Sequence, residues 1–221
     1  MPSSERSGPM LTVPGVYQPQ QDTHLLMRAM CHEGVSPGTE VLDLGTGSGV
    51  LALCAARFGA RVTAVDIAWR AVLAARANAL FARRRIRVLH GDLAGDDRRY
   101  DLVVSNPPYV PAPEIAPPER GAARSWDAGH DGRAVVDRIC ATAPLVLAPH
   151  GVLLMVHSAL CGTDDTLAAL ARGGLRAEVT DRELIPFGPV MRARLPWLRD
   201  TGIVGRDQDK EELVVIRAEH A

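Results

Sequence analysis

Asp43-Leu44-Gly45-Thr46-Gly47-Ser48-Gly49 is the stretch whose reading decides the fold. A short apolar run, residues 41–44, leads into it, and an apolar stretch, residues 50–58, leaves it and stops at Gly59. That order predicts a buried strand, a tight turn and a helix. Glycines at such a turn let the chain reverse sharply and let a ligand approach the backbone closely. The spacing is G-x-G-x-G, and Val50 stands where a dinucleotide-binding G-x-G-x-x-G would need its last glycine.

The same alternation continues outward. Strands are predicted at 61–65, 86–89, 102–105 and 152–156, with helices at 69–81, 133–147 (ending near Pro149) and 164–171 (ending at Gly173). A helix capped by Asp22 or Thr23 precedes them, carrying Leu25, Leu26, Met27, Ala29 and Met30 toward Gly34. Strands at 175–180 and 213–216 close the chain, separated by an insert at about 185–210. No internal repeat is visible. The pattern is that of an α/β protein with a doubly wound, mostly parallel sheet covered on both faces.

Two carboxylates sit where ligands bind in this architecture, at the carboxyl ends of successive strands. Asp66 ends the second strand and can accept from both hydroxyls of a ribose, or cap a helix. Asp92 follows the third, after Gly91, and can accept from an adenine amino group, or form a turn. The fourth strand ends in Ser105-Asn106-Pro107-Pro108-Tyr109. Pro107 biases Asn106 toward extended geometry and so holds its side chain at the strand tip. The Asn106 side-chain oxygen and the Pro107 carbonyl can each accept one N–H of an amide or aromatic amine. That orients a poorly nucleophilic nitrogen and stabilises the positive charge that develops on it as it is alkylated. Tyr109 can stack on a planar acceptor. The residues 107–118 are too rich in proline for a helix interior or a central strand.

Composition narrows the classes. The 221 residues carry 25 basic and 26 acidic side chains, a net charge of −1, which argues against unaided binding of nucleic acid. The run Arg83, Arg84, Arg85, Arg87 reads as a solvated face at a helix end, with RNA or ribosome contact as the other reading. Cys31, Cys54, Cys140 and Cys161 lack zinc spacing and read as reduced thiols, and the histidines show no paired-ligand spacing, so no metal site is expected. No apolar run reaches the ~18 residues of a membrane span, and the first residues lack the apolar core of a signal peptide. A cytoplasmic protein is expected. Residues 1–12 read as a flexible N-terminus and 13–221 as a single domain.

The glycine turn followed by Asp66 and Asp92 resembles the S-adenosylmethionine-dependent methyltransferases of class I. Asn106-Pro107-Pro108-Tyr109 resembles the N-P-P-Y of their amino-methyltransferases. Val16-Tyr17-x-Pro19-x-x-Asp22-Thr23 and Arg124-Ser125-Trp126-Asp127-Ala128-Gly129-His130-Asp131-Gly132-Arg133 resemble segments of the HemK-type protein glutamine methyltransferases, in the short branch without an N-terminal helical domain. The resemblance runs over roughly residues 13–180. It implies a Rossmann-like, seven-stranded sheet with the last strand antiparallel, and S-adenosylmethionine as cofactor. It implies cofactor contacts from Tyr17, Asp22, Thr23, Asp43, Gly45, Thr46, Gly47, Gly49, Asp66, Ile67, Asp92, Leu93 and Asn106. Catalysis would fall to Asn106, Pro107, Pro108 and Tyr109, and substrate contact to Tyr109, Trp126 and Phe187. Tyr17 and Trp126 could equally be packing aromatics.

The acceptor implied is the glutamine side-chain amide of a protein, such as the Gly-Gly-Gln motif of a translation release factor. Methylation of an exocyclic amine in nucleic acid, or of a small-molecule or peptide natural product, stands as the alternative. A non-catalytic cofactor-binding subunit is a third reading, against which the intact N-P-P-Y counts. Short-branch relatives work with a small zinc-binding activator that covers an apolar sheet edge. Here the third strand would be that edge, and a lone monomer or a homodimer remains the other outcome. Two departures stand out: Gln21 occupies a place where the family often has an acidic residue, and the 185–210 insert exceeds a simple hairpin. Met191, Leu195 and Leu198 in that insert predict a short helix that packs its apolar face down and forms one wall of the acceptor cleft, with a helix that only caps the core as the other reading.

Overall fold

The computed structural model describes residues 10–93 and 98–221. Most of the 1–12 segment therefore lies outside the described residues. The chain order is α1 (Gln21–His32), β1 (Glu40–Leu44), α2 (Val50–Arg57), β2 (Arg61–Asp66), α3 (Trp69–Phe81), β3 (Ile86–His90), β4 (Tyr100–Ser105), α4 (Ala134–Val146), β5 (Leu147–Ser158), α5 (Thr163–Arg172), β6 (Leu175–Pro186), α6 (Pro189–Asp200) and β7 (Lys210–His220). The seven strands form one sheet in the order β3-β2-β1-β4-β5-β7-β6. β1 to β5 pair in parallel, and β7 runs antiparallel to both β5 and β6. The expected class I topology is the observed one.

Successive strand residues point to opposite faces, so each strand feeds two cores. On one face Val41, Val104 and Leu154 pack with Leu26 and Met30 of α1 and Leu51 of α2. On the other, Leu42, Val103 and Leu153 pack with Ile139 of α4 and Leu170 of α5. Continuous burial on both faces explains the unbroken apolar runs of the central strands. At the shared carboxyl edge the Ser105 hydroxyl donates to the Leu44 carbonyl (2.8 Å), which pins the tip of β4 to the glycine turn.

Three differences from the sequence reading have physical causes. β6 continues past Thr180 to Pro186 and β7 spans far more than 213–216. β6 is an edge strand whose burial alternates residue by residue, so its charged run Asp181-Arg182-Glu183 stays compatible with pairing, and Arg182 meets Glu212 across the ladder (2.5 Å). β5 starts at Leu147 because a register shift between Tyr100 and Leu102 accommodates residues 148–151. Neither Asp22 nor Thr23 caps α1: the N-cap is Gln20, and Asp22 turns its carboxylate elsewhere.

The insert forms α6 despite Pro196 in its interior. An internal proline costs about 3 kcal/mol. Phe187, Met191, Leu198 and Val204 are buried together in a separate cluster, each worth about 1.5–3 kcal/mol on burial, which offsets that cost. Among the described residues no helix is long and apolar enough to cross a membrane, and no group of His, Cys, Asp and Glu could hold a metal ion.

Candidate active site

Two cavities open along the carboxyl edge of the sheet. The larger, of about 320 Å³, is bounded by the ends of β1, β2, β3 and β4. Its floor is the glycine turn. Gly47 adopts φ 55°, and its N–H donates to the Asp66 Oδ2 (2.9 Å), while the Ala68 N–H donates to Oδ1 (2.8 Å). Asp66 is thus fixed at the strand end with accepting capacity left on each oxygen. Burial raises its carboxyl above the ordinary value, and the two N–H donors oppose that rise. Gly45, Thr46, Ile67, Asp92 and Leu93 line the same cavity, with Tyr17 and Thr23 closing over it. Leu93 has a positive φ of 60°. Asp92 is half-exposed and pairs with Arg138 of α4 (2.7 Å), a partner that nothing in the sequence signals.

Three residues assigned to the cofactor do not face this cavity: Asp43 and Gly49 of the glycine turn, and Asp22 of α1. Asp43 is fully buried, accepting from the Thr46 hydroxyl (2.6 Å) and the Ala52 N–H (3.0 Å). It ties the turn to α2 from beneath, and burial pushes its carboxyl up to about 7. Gly49 faces α3: a Cβ there would stand 3.1 Å from the Ala75 Cβ. Its absence of side chain serves helix packing, the part a third glycine plays in such turns.

The second cavity, of about 100 Å³, lies beside the first and shares Tyr17, Asn106, Pro108 and Ser125 with it. Asp22, itself buried, is part of its lining. The Tyr17 hydroxyl (2.6 Å) and the Tyr109 hydroxyl (3.0 Å) both donate to Asp22 Oδ2. Burial and the neighbouring Asp22 charge hold both phenols well above their ordinary range, so both remain donors at neutral pH. Asp22 was expected on the cofactor; it lines only this second cavity and clamps two aromatic rings instead. The Thr23 hydroxyl donates to Asp22 Oδ1 (3.2 Å) and accepts from Asn106 Nδ2 (3.1 Å). With Nδ2 committed, Oδ1 is the Asn106 atom that can accept from an incoming amine.

Pro107, Tyr109 and Trp126 line this cavity too. Phe187 does not. It is 3% exposed and packs under α6, so it supports a wall rather than facing an acceptor. The residues that do face it are Gly188, Pro189, Val190 and Met191. The expected helical wall is here, with Met191 in it; Leu195 and Leu198 do not reach the cavity, and Gly188, Pro189 and Val190 do.

The larger cavity fits an adenosine-bearing cation: a half-buried carboxylate at a strand end, a backbone floor at Gly47, and Asn106 at its border. When bound, S-adenosylmethionine supplies an electrophilic methyl group. The comparisons agree with that chemistry. The family model described as methyltransferase small domain matches residues 9–116. A provisionally named protein N5-glutamine methyltransferase of Methanocaldococcus jannaschii is 31% identical over 180 residues, covering 80% of this chain and 90% of the relative. The release factor glutamine methyltransferase of Bordetella pertussis is 40% identical over 188 residues, covering 77% and 67%. In structure, the E. cuniculi Mtq2–Trm112 complex, responsible for methylation of the eRF1 translation termination factor, matches with a TM-score of 0.63 at 24% identity, over 94% of this chain and 99% of the matched one, which bears on the fold. The chain belongs to the HemK-type protein glutamine methyltransferases, class I enzymes that transfer the methyl group of S-adenosylmethionine to nitrogen.

Proposed function

We propose that this enzyme methylates the side-chain amide of a glutamine in a translation release factor. The observation that carries the reading is the junction of the two cavities at Asn106 and Pro108. An amide nitrogen is held there by Asn106 Oδ1 and the Pro107 carbonyl, each accepting one of its hydrogens. Its lone pair is thereby aimed toward the larger cavity, where Asp66 holds the ribose of the methyl donor. Tyr109 and Trp126 flank the planar carboxamide. The cation formed on nitrogen is acidic and gives its proton to solvent, so no strong base is required. The names of the relatives support the acceptor class. Transfer of labelled methyl to purified release factor, total RNA and DNA tests it: label in the release factor, at glutamine, is expected, and label in nucleic acid alone would contradict it.

The same reading includes a partner and a compartment. β3 is a terminal strand of the sheet, and α3 beside it exposes Trp69, Leu73, Leu80 and Phe81. Trp69 stacks on His90 of β3 (4.0 Å between ring centroids), so the exposed face of α3 is continuous with the terminal strand. Such an edge recruits a pairing strand. A small activator protein is the occupant we assign to it, in line with the Trm112 subunit of the structural relative. The cytoplasm, where release factors act, suits the four free cysteines, three of them buried.

A further inference from the structure

The acceptor cavity has two walls that are remote in sequence. One is the loop after β4, which contributes Tyr109, Val110 and Trp126; the other is the first turn of α6, from the β6–β7 insert. An ion pair joins them. Arg194, in the middle of α6, donates from Nη1 to Asp127 Oδ1 (2.6 Å) and from Nη2 to Oδ2 (3.0 Å). Nη1 also donates to the Pro111 carbonyl (2.9 Å). The pair is desolvated, with the side chains 20% and 7% exposed.

Asp127 lies between the two residues that stitch the loop to itself. The Val110 N–H donates to the Trp126 carbonyl (2.8 Å) and the Ala128 N–H to the Val110 carbonyl (3.1 Å). Arg194 therefore grips the loop at the position that sets both Val110 and Trp126. A desolvated, bidentate guanidinium–carboxylate pair brings little net stability over an apolar contact, but it fixes geometry in two directions at once. Stability was available here without it, since α6 already buries Met191 and Leu198 against Phe187 and Val204. What the pair adds is a fixed width between the walls.

We propose that Arg194 is a positioning residue for the acceptor: through Asp127 it sets the distance between the α6 wall and the loop carrying Tyr109 and Trp126, and the insert thereby determines which protein side chain enters. The assignment rests on the proposed glutamine acceptor for its kinetic arm only. Arg194→Met is compared with wild type in steady-state methyl transfer to the release factor and in calorimetric binding of S-adenosylmethionine. A displaced wall costs on the order of ten- to hundredfold in kcat/KM for the acceptor; Asp127 also borders the larger cavity, so cofactor affinity shifts as well, but by less than the loss in kcat/KM. Arg194→Lys, which reaches one carboxylate oxygen but lacks the fork, recovers part of the loss. A fall in thermal midpoint with wild-type kinetics in either folded variant would overturn the proposal. A second arm needs no acceptor. Amide hydrogen exchange over residues 107–131 is expected to quicken in Arg194→Met, or in Arg194→Lys if the first variant does not fold, and unchanged protection would overturn the latch. A wild-type enzyme that leaves the release factor unlabelled would contradict the proposed acceptor, and the exchange arm then decides the latch by itself.

Discussion

The cofactor half of the site and the acceptor half are built on different length scales. In the first, the ties that build the glycine turn are short in sequence: Asp43 to Thr46 spans 3 residues, Asp43 to Ala52 spans 9, and Asp66 to Gly47 spans 19; the pair of Asp92 with Arg138 is the longer exception. In the second, apart from Tyr17 to Asp22, they are long: Thr23 to Asn106 spans 83, Asp22 to Tyr109 spans 87, and Asp127 to Arg194 spans 67. A cradle made of one strand–turn–helix unit and the neighbouring strand end is a local product of its residues. An acceptor pocket assembled from α1, the β4 tip, the following loop and α6 exists only once the whole sheet is in place. On the proposed assignment, substitutions in one half should damage one function and spare the other.

Asp66→Ala probes the cofactor half. Charge-assisted hydrogen bonds from a half-buried carboxylate are worth about 1.5–3 kcal/mol each, so S-adenosylmethionine affinity should fall at least about tenfold. Calorimetry on the folded variant measures this, and unchanged affinity would remove Asp66 from the ribose.

Asp43→Asn probes the foundation of the same half and should have the smaller effect. In the folded protein the Asp43 carboxyl titrates near 7, against 3.8 ordinarily, because burial disfavours its charge. The folded state therefore holds this proton more tightly than the unfolded chain does, and its contribution to stability is lost as pH rises from about 4 through about 7. Asparagine can accept from Thr46 and Ala52 without ionising. The thermal midpoint of Asp43→Asn should gain on wild type between pH 5 and pH 8. His157 has the opposite sense: burial lowers it from 6.5 to about 4, so its contribution is lost as pH falls through that window. It is common to both proteins and cancels in the difference. An equal gap at both pH values would contradict the assignment.

The contrast in length scale also explains what could be read from the sequence. The helix at 69–81 matches α3 residue for residue, because an alanine-rich stretch between two strands leaves little choice. The glycine turn and Asp66 were legible for the same local reason. Asp43 and Gly49 were given to the cofactor because a motif records that residues occur together, not which of them face the ligand. Phe187 was misplaced because an aromatic near a cleft and an aromatic under it leave the same mark in sequence. Asp127 and Arg194 carried no sign of each other. Their pairing depends on β6 and β7 being long enough to bring α6 over the loop, and the charged edge strand concealed that length.

The central claim is that Asn106 joins two separable halves by orienting the acceptor nitrogen at the border of both cavities. Asn106→Ala, with S-adenosylmethionine affinity and single-turnover methyl transfer measured on the same preparation, tests it most directly. Transfer should fall on the order of 10²–10³-fold, the scale for loss of one oriented contact to a developing charge, while cofactor affinity changes by no more than about twofold. Transfer at the wild-type rate, or a loss of cofactor affinity as large as the loss of rate, would contradict the account.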